Sequence, residues 1–348
     1  MTDTAQTKLM GREIRLVAHP GGFPGESLFE VAESPIPEPA ESQLLIRNAY
    51  FSVDPYMRPR TGDAREYVAP STLGEAMTGG AVGRVAISRH PDYAEGDWVL
   101  HTLGWREWAL SDGTYVWRID PAAAPVSTAL GVLGPPGFTA YYGLFEIGRP
   151  QPGETVFVSG ASGAVGSAAG QMAKIAGCRV LGSGGSPEKV AWLRELGFDE
   201  AFDYRARPVR EALAEAAPEG IHLYFDNVGG DHLEAAIGAL RNHGRIVACG
   251  WMSRYGDAEP TAPHNLFMVV TTRLRMEGFR ISDHLDRFPE FQAKAGEWLR
   301  EGRLRYRETV IHGIENAPDA FVGLLRGESV GKMLVKVGPA DDDQSPRG

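Results

Sequence analysis

The chain has 348 residues, 43% hydrophobic and 23% charged, so it can bury a sizeable core and is long enough for two domains. Its formal net charge is -10 with no basic stripe, which excludes nucleic acid and anionic membrane surfaces as expected partners. No apolar run reaches the length of about 18 residues that a membrane span needs, and no signal-peptide pattern opens the chain, so we expect a cytoplasmic protein. The two cysteines, Cys178 and Cys249, are too few for a disulfide framework or a four-cysteine zinc site and are predicted to be buried thiols.

The first third of the chain is rich in proline, glycine and short alternating segments. Examples are QLLIRNA at 43–49, GAVGRVAI at 80–87 and DWVLH at 97–101. Such runs between turn residues predict an antiparallel β domain. The segment GVLGPPG at 131–137 concentrates glycine and proline where this pattern ends, and we expect a linker or hinge there.

From residue 155 onward, apolar strands alternate with helical stretches. The predicted strands are 155–159, 178–182, 200–204, 221–226, 245–249 and 274–279. The predicted helices between them are 163–176, 187–196, 208–216, 231–240 and 263–273. This alternation is typical of a doubly wound parallel α/β sheet, the Rossmann dinucleotide fold.

The last part of the chain returns to a strand, helix and strand pattern over 310–337, after an amphipathic stretch at 283–302. A lone strand needs a sheet to join, so we assign this segment to the first domain. The expected organisation is a β catalytic domain of residues 1–131 and 303–338, a dinucleotide-binding domain of residues 132–302, and a disordered tail of residues 339–348.

A glycine-rich loop, GASGAVG at 160–166, follows the first predicted strand of the second domain and opens a helix of small residues. Glycines in that place allow a tight turn, close approach of the backbone to a pyrophosphate and close packing of helix on sheet. We therefore predict a dinucleotide contact at Gly163, Ala164, Val165 and Gly166. A purely structural strand-to-helix turn is the alternative, because the middle glycine of the usual motif is absent.

The end of the second predicted strand indicates which dinucleotide binds. NAD sites usually carry an acidic residue there, whereas this chain reads GSGGSPEK at 182–189, with no acid at the strand end and a cation at Lys189. A 2′-phosphate would fit, so NADPH is the expected cofactor, although a solvated lysine is the commoner case. Asn227, just past the fourth strand, either contacts the cofactor or satisfies a turn.

Several stretches together resemble the zinc-independent medium-chain dehydrogenases/reductases, in the branch of prostaglandin reductases, alkenal double-bond reductases and curcumin reductase. They are SVDPYMRPR at 52–60, GDWVLHTLGWREW at 96–108, LGPPGFTAYYGL at 133–144, SGASGAVGSAAGQMAK at 159–174, YFDNVGG at 224–230, RMEGF at 275–279 and GKMLVKV at 331–337. The resemblance implies a Rossmann domain with a GroES-like β domain, often in a homodimer. It also implies reduction by NADPH of the carbon–carbon double bond of a small hydrophobic enone or enal between the domains.

The resemblance also assigns roles to single residues. Lys189 and Tyr204 are similar to the pair that holds the 2′-phosphate, Phe279 and Ile281 to a wall beside the nicotinamide, and Tyr56 to a pocket residue that touches the substrate. The remaining expected cofactor contacts are Asn227, Cys249, Gly250, Tyr255 and Ser329. Ser329 stands where many relatives carry asparagine, and GGAVG at 79–83 replaces the GHE of zinc-dependent relatives, so no metal is expected.

Tyr255 and Tyr56 are the expected catalytic residues. Hydride addition to the β-carbon of an enone leaves an enolate, whose oxygen needs a hydrogen-bond donor, and the Tyr255 hydroxyl is the candidate. A packing role for Tyr255 stays open, and His101 and His264 are expected at packing or surface positions. The alternatives for the whole protein are a quinone oxidoreductase of the same superfamily and a non-catalytic NADPH-binding protein.

Overall fold

The computed structural model describes residues 9–62, 68–255 and 262–339. The chain forms two compact units, one of Met1–Leu130, Val310–Arg326 and Met333–Gly348, the other of Gly131–Thr309 and Gly327–Lys332. This division keeps 303–309 and 327–332 with the second unit, whereas we expected the return to the first domain at residue 303. The expected disordered tail lies outside the described residues except for Pro339.

The first unit is built on antiparallel strands, as its short alternating segments predict. Its elements before the domain change are β1 Met10–Leu16, β2 Phe29–Pro35, β3 Leu44–Ser52, α1 Met57–Arg60, β4 Ala81–Ser88, β5 Trp98–His101, β6 Trp108–Ser111 and β7 Trp117–Arg118. Strand β3 is central because it pairs antiparallel with both β4 and β6. All residues of β3 except one are buried, as expected for a strand that is covered on both faces of its sheet.

The second unit alternates strands with helices. Its elements are α2 Pro135–Tyr142, a π-helical segment Gly143–Gly148, β8 Thr155–Val158, α3 Ala164–Ile175, β9 Arg179–Gly184, α4 Pro187–Glu195, β10 Glu200–Asp203, α5 Val209–Ala216, β11 Ile221–Asp226, α6 Gly230–Ala239, β12 Leu240–Ala248, α7 Met268–Thr271, β13 Arg275–Gly278 and α8 Phe288–Arg300. The strands form one sheet in the order β10-β9-β8-β11-β12-β13, and all its pairs are parallel. The predicted Rossmann sheet is confirmed.

The C-terminal strand, helix and strand return to the first unit's sheet. They are β14 Glu308–His312, α9 Ala317–Arg326 and β15 Lys332–Lys336. Strand β15 pairs antiparallel with β3, with Leu334 opposite Ser52, and the sheet order is β14-β15-β3-β4-β5-β7. The short 3-10 helices of the described chain are Glu26–Leu28, Val126–Leu130, Met252–Tyr255, Ile281–Asp283, Leu285–Arg287 and Ile314–Asn316.

Two predictions from the sequence need correction. The segment 131–137 is not only a linker, because α2 begins at Pro135 with proline at its first position, where a missing N–H costs nothing. The helix predicted over 263–273 is reduced to α7, with turns before it. There the Asn265 side chain donates to Glu234 O at 2.9 Å and His264 N donates to Glu234 Oε2 at 2.9 Å, contacts that compete with helical bonding.

The strand order of the second unit locates its ligand-binding edge. The order reverses between β8 and β11, and ligands of open α/β sheets bind outside the carboxyl ends of the strands at such a point. Gly160 follows β8 and Asn227 follows β11, so both lie at this edge. None of the described helices is long and apolar enough to cross a membrane.

Candidate dinucleotide site and active-site tyrosines

The glycine loop has the geometry that close helix–sheet packing requires. Gly160 adopts a φ of 56°, and a Cβ on Gly166 would lie 2.4 Å from Gly160 O. Helix α3 begins at Ala164 with Gly163 as its N-cap and without a side-chain cap, so the first N–H groups of the helix have no partner within it. Ala164 and Val165 are half-buried. The loop therefore presents backbone donors at the carboxyl edge of the sheet, as an anion site does.

The end of β9 offers open space instead of a carboxylate. A Cβ on Gly185 would lie 2.9 Å from Tyr204 Oη, and a Cβ on Gly184 would lie 2.9 Å from Lys189 Cβ. Tyr204 N donates to Gly184 O at 3.1 Å, which fixes the tyrosine beside this strand end. The two glycines thus bring Tyr204 and Lys189 close to the backbone of the strand end.

Lys189 and Arg205 converge on one backbone position. A Cβ on Gly327 would lie 3.7 Å from Lys189 Nζ and 3.6 Å from Arg205 Nη2, and Lys189 Nζ donates to Gly327 O. Burial and then the positive charge of Arg205 lower the pKa of Lys189. Our sequence analysis missed Arg205, although a cation directly after Tyr204 was a readable signal. Lys189, Arg205 and Tyr204 together offer the kind of donors that bind phosphate.

The Asn227 side chain is engaged in the turn after β11. Its Nδ2 donates to Ser159 O at 2.8 Å, and its backbone N–H donates to Ser159 Oγ at 3.0 Å. The amide therefore ties the ends of β8 and β11 together, which favours the turn role among the two alternatives.

Asp226 is a buried carboxylate that the sequence analysis did not single out. Its Oδ1 accepts hydrogen bonds from Tyr224 Oη at 2.7 Å, Gly229 N at 2.8 Å and Val228 N at 3.0 Å. Burial raises its pKa, and the hydrogen bond from the Gly229 backbone opposes that shift. This network holds the turn from β11 into α6 rigid beside the predicted cofactor edge.

His232 is a second residue that sequence reasoning missed. It is buried on α6, with Nε2 3.1 Å from Ser183 Oγ and its ring edge-on to Tyr204 at a centroid distance of 5.0 Å. Burial lowers the pKa of His232 to about 4, so the ring is neutral at pH 7. The histidine therefore packs against Tyr204 and restrains its ring.

Cys249 and Gly250 follow β12 and bond to the same turn. Their N–H groups donate to Asp226 O at 3.0 and 2.9 Å. The expectation of two buried thiols holds for Cys178, whereas Cys249 is half-buried. Burial raises the pKa of the Cys249 thiol to about 12, which makes it a poor nucleophile.

Phe279 and Ile281 lie just after β13 and are half-buried against the core of the second unit. A Cβ on Gly143 would lie 2.7 Å from Phe279 Cζ, so the glycine of the π-helical segment makes room for this ring. Tyr255 ends the 3-10 turn Met252–Tyr255 and is half-buried.

Ser329 is buried in the segment between α9 and β15. This segment docks on the glycine loop, because Gly331 N donates to Ser162 O at 2.8 Å and Gly331 forms a β-bridge with Gly163. Ser329 therefore lies two residues from a contact with the predicted pyrophosphate loop.

Tyr56 belongs to the first unit, where it caps the start of α1 and is half-buried. A Cβ on Gly79 would lie 3.6 Å from Tyr56 Oη and 3.7 Å from Trp105 Nε1. The same Cβ would overlap Met57 Cε, so the missing side chain at Gly79 makes room for this methionine beside the phenol and the indole. Across residues 9–62, 68–255 and 262–339, no group of three or more His, Cys, Asp or Glu could hold a metal ion.

Known proteins are similar to this chain over nearly its full length. Residues 12–119 match the family described as the N-terminal domain of oxidoreductase, and residues 164–299 match the family described as zinc-binding dehydrogenase. The NADPH-dependent curcumin reductase of Escherichia coli (strain K12) is 42% identical over 97% of this chain and 99% of its own length. The 2-alkenal reductase (NADP(+)-dependent) of Nicotiana tabacum is 40% identical over 95% of this chain and 98% of its own length.

A solved structure agrees with this similarity. The crystal structure of CurA in complex with NADPH from Vibrio vulnificus matches with a TM-score of 0.89 and 42% identity, covering 94% of this chain and 99% of that one. The chain therefore belongs to the zinc-independent branch of the medium-chain dehydrogenases/reductases that includes the curcumin and alkenal reductases.

Proposed function

We propose that this protein uses NADPH to reduce the carbon–carbon double bond of α,β-unsaturated ketones or aldehydes. The observation that carries the proposal is that Lys189 and Tyr204 lie against the two glycines at the end of β9, where an NAD enzyme would carry a carboxylate, with Arg205 next to Tyr204 in the chain. The names of the relatives, NADPH-dependent curcumin reductase and NADP-dependent 2-alkenal reductase, support both the cofactor and the class of substrate.

The residues present fit the cofactor. A side chain on Gly185 would fill the space against Tyr204, and one on Gly166 would push α3 away from the glycine loop. We infer that Ala164 and Val165 bind the pyrophosphate through their backbone N–H groups and that Lys189 and Tyr204 hold the 2′-phosphate, with Arg205 beside them. Occupancy by the 2′-phosphate would require Lys189 Nζ to exchange its bond to Gly327 O for a bond to the phosphate, or to make both.

The other expected contacts are proposals of the same kind. Phe279 and Ile281 would form an apolar wall beside the nicotinamide, and Cys249, Gly250 and Ser329 would approach the cofactor mainly through their backbone. Asn227 would act by holding the ends of β8 and β11 in place, since its Nδ2 already donates to Ser159 O at 2.8 Å.

The chemistry is divided between the cofactor and the side chains. Bound NADPH supplies the hydride. The substrate carbonyl oxygen becomes an oxyanion as the β-carbon is reduced, and a hydroxyl donor binds that oxyanion more strongly than it binds the ground-state carbonyl. We assign this donor role to Tyr255 and a second substrate contact to Tyr56.

A panel of acceptors tests the proposal. Purified protein is mixed with NADPH and, separately, with enals, enones and quinones, while NADPH absorbance and products are followed. We expect consumption with enones or enals and a saturated carbonyl product. An allylic alcohol would contradict the proposed bond specificity, consumption with quinones alone would indicate a quinone oxidoreductase, and binding without turnover would indicate a non-catalytic protein.

We also infer that the protein is a homodimer formed through the second unit. Strand β13 is the outermost strand of the six-stranded sheet, and each of its residues is exposed. Exposed apolar side chains lie in this strand and close to it in the chain: Leu266, Phe267, Val270, Met276 and Leu285. Proteins usually cover an outermost parallel strand that is flanked by apolar side chains, and the same strand of a second copy could cover it here.

We place the protein in the cytoplasm, because its two free thiols suit a reducing compartment.

A further inference from the structure

Tyr56 and Arg60 lie on the same face of a short helix in the first unit. Tyr56 is the N-cap of α1 and Arg60 is its last residue, so the two side chains are one helical turn apart. Both residues are half-buried.

Arg60 is held at both ends of its guanidinium by a single residue. Its Nη1 donates to Thr78 O at 2.8 Å and its Nη2 donates to Thr78 Oγ1 at 2.6 Å. The next residue, Gly79, is the one whose Cβ position lies 3.6 Å from Tyr56 Oη. The guanidinium of Arg60 and the hydroxyl of Tyr56 therefore both lie beside the backbone of Thr78 and Gly79.

The guanidinium of Arg60 can only donate hydrogen bonds, and this determines how the Tyr56 hydroxyl is oriented. A guanidinium carries only donors, whereas a phenol has one donor hydrogen and two acceptor lone pairs. When Tyr56 Oη accepts from Arg60, its own hydrogen stays available for another acceptor. Because Thr78 restrains the guanidinium, the oxygen of Tyr56 is restrained with it.

We propose that Arg60 is a positioning residue that fixes the Tyr56 hydroxyl as a hydrogen-bond donor toward the substrate carbonyl. This inference rests on the proposed contact between Tyr56 and the substrate, and it adds the residue that orients that contact. Burial and the nearby Asp54 raise the pKa of Tyr56, while the charge of Arg60 and its hydrogen bond oppose the shift. The cation thus makes the buried phenol a stronger donor without ionising it.

A double-mutant cycle tests the coupling. The variants are R60K, Y56F and the double R60K/Y56F, because lysine keeps the charge but loses the planar fork that Thr78 holds. We expect kcat/KM for an enone to fall about tenfold in R60K and by a similar factor in Y56F, with the double variant no worse than Y56F. The KM for NADPH should stay unchanged in all three, a result that a general packing defect would not give.

R58K is the matched control, since Arg58 lies in the same helix but its Nη2 donates to Gly22 O at 2.8 Å. It should keep wild-type kcat/KM. Multiplicative losses in R60K/Y56F, or an R58K loss equal to that of R60K, would overturn the proposal. If R60K fails to fold, T78V replaces it in the cycle, because it removes one of the two acceptors of Arg60 and leaves the arginine in place.

The cycle also separates this inference from the proposed reaction. Product analysis of the wild-type protein comes first, and the cycle is then measured with whichever acceptor is reduced. Coupling of Arg60 to Tyr56 with a quinone as the acceptor would refute the proposed reaction while the positioning role stands. Saturation of the enone without coupling would refute the positioning role alone.

Discussion

Lys189 is the residue to which we assign the distinction between NADPH and NADH. K189A removes the proposed charge-assisted bond to the 2′-phosphate, and such bonds contribute about 1.5–3 kcal/mol, so the Kd for NADPH should rise by roughly 10- to 150-fold. Binding of NADH should change little, because it lacks that phosphate. Titration calorimetry with both dinucleotides checks this.

Lys174 provides the control for that experiment. Its Nζ pairs with Asp199 at 2.7 Å on the surface of the same unit, away from the end of β9. K174A should leave the ratio of the two affinities unchanged. An equal loss of NADH and NADPH binding in K189A would mean that the lysine supports the fold of the site and does not read the phosphate.

Tyr255 provides the second prediction at this scale. Loss of one donor to an oxyanion costs about 2.7–4 kcal/mol in other enzymes, so Y255F should lower kcat by roughly 10²- to 10³-fold. The Kd for NADPH should stay within error of the wild type. Y115F, at an exposed tyrosine of the first unit, is the control, and an unchanged kcat in Y255F would remove this residue from the mechanism.

At the junction of β8 and α3, two glycines are expected to have different roles, Gly166 in folding and Gly163 in binding. G166A would place a Cβ 2.4 Å from Gly160 O, and overpacking of this kind typically costs about 1–3 kcal/mol. A Cβ on Gly163 would meet its nearest atom at 3.4 Å, so G163A should keep its stability but obstruct the pyrophosphate. Thermal unfolding with and without NADPH should therefore show a lower Tm for G166A and a smaller NADPH-induced rise for G163A. Equal behaviour of the two variants would contradict this division of roles.

Strand β5 carries a buried histidine that links stability to pH. His101 lies between Asn48 Oδ1, 2.8 Å from its Nε2, and Leu103 N, which donates to its Nδ1 at 3.1 Å. Burial and then the charge of Arg106 lower the pKa of His101 to about 3. Between these two pKa values, His101 is therefore protonated in the unfolded chain, where its pKa is near 6.5, and neutral in the folded protein.

The stability that neutral His101 contributes is complete above about pH 6.5 and is lost as the pH falls toward 3, with a slope of up to about 1.4 kcal/mol per pH unit. In H101Q the free energy of unfolding at pH 7 should be lower, but its decline between pH 6.5 and 4 should be shallower. Urea unfolding at several pH values measures both. Parallel declines in the two proteins would show that other groups govern acid stability.

The secondary-structure elements were predicted from the sequence only in part. Alternation of apolar strands and helices located all six parallel strands, because the inner strands must be apolar enough to be buried on both faces. The exposed edge strand β13 was found at 275–278, and β12 begins five residues before its predicted start. The helix predicted over 263–273 was too long, since Asn265 and Glu234 are distant in sequence and their contact could not be foreseen. Arg205 was missed although it directly follows Tyr204, since only the fold shows its approach to Gly327 and Lys189.

For the whole molecule, the exposed edge of β13 should control assembly. V270D places a charge among exposed apolar side chains near that edge and should shift the protein from dimer to monomer in sedimentation velocity. V17D, at an exposed valine of the first unit, should leave the sedimentation coefficient unchanged. A monomeric wild type, or a dimer that survives V270D with equal strength, would remove this edge as the interface.

The sequence by itself determined the class of each domain, the glycine loop, the missing carboxylate after β9 and the family, because those features depend on periodicity and on residues that are close in the chain. Only the tertiary structure showed that Lys189 and Arg205 meet at Gly327, that Asp226 holds the turn after β11, and that Thr78 clamps Arg60 beside Tyr56. Lys189 and Gly327, and likewise Arg60 and Thr78, are far apart in the chain, whereas the bonds of Asp226 are local and matter because its carboxylate is buried. Which of many such pairs forms is decided by how strands and helices pack, and local propensity does not carry that information.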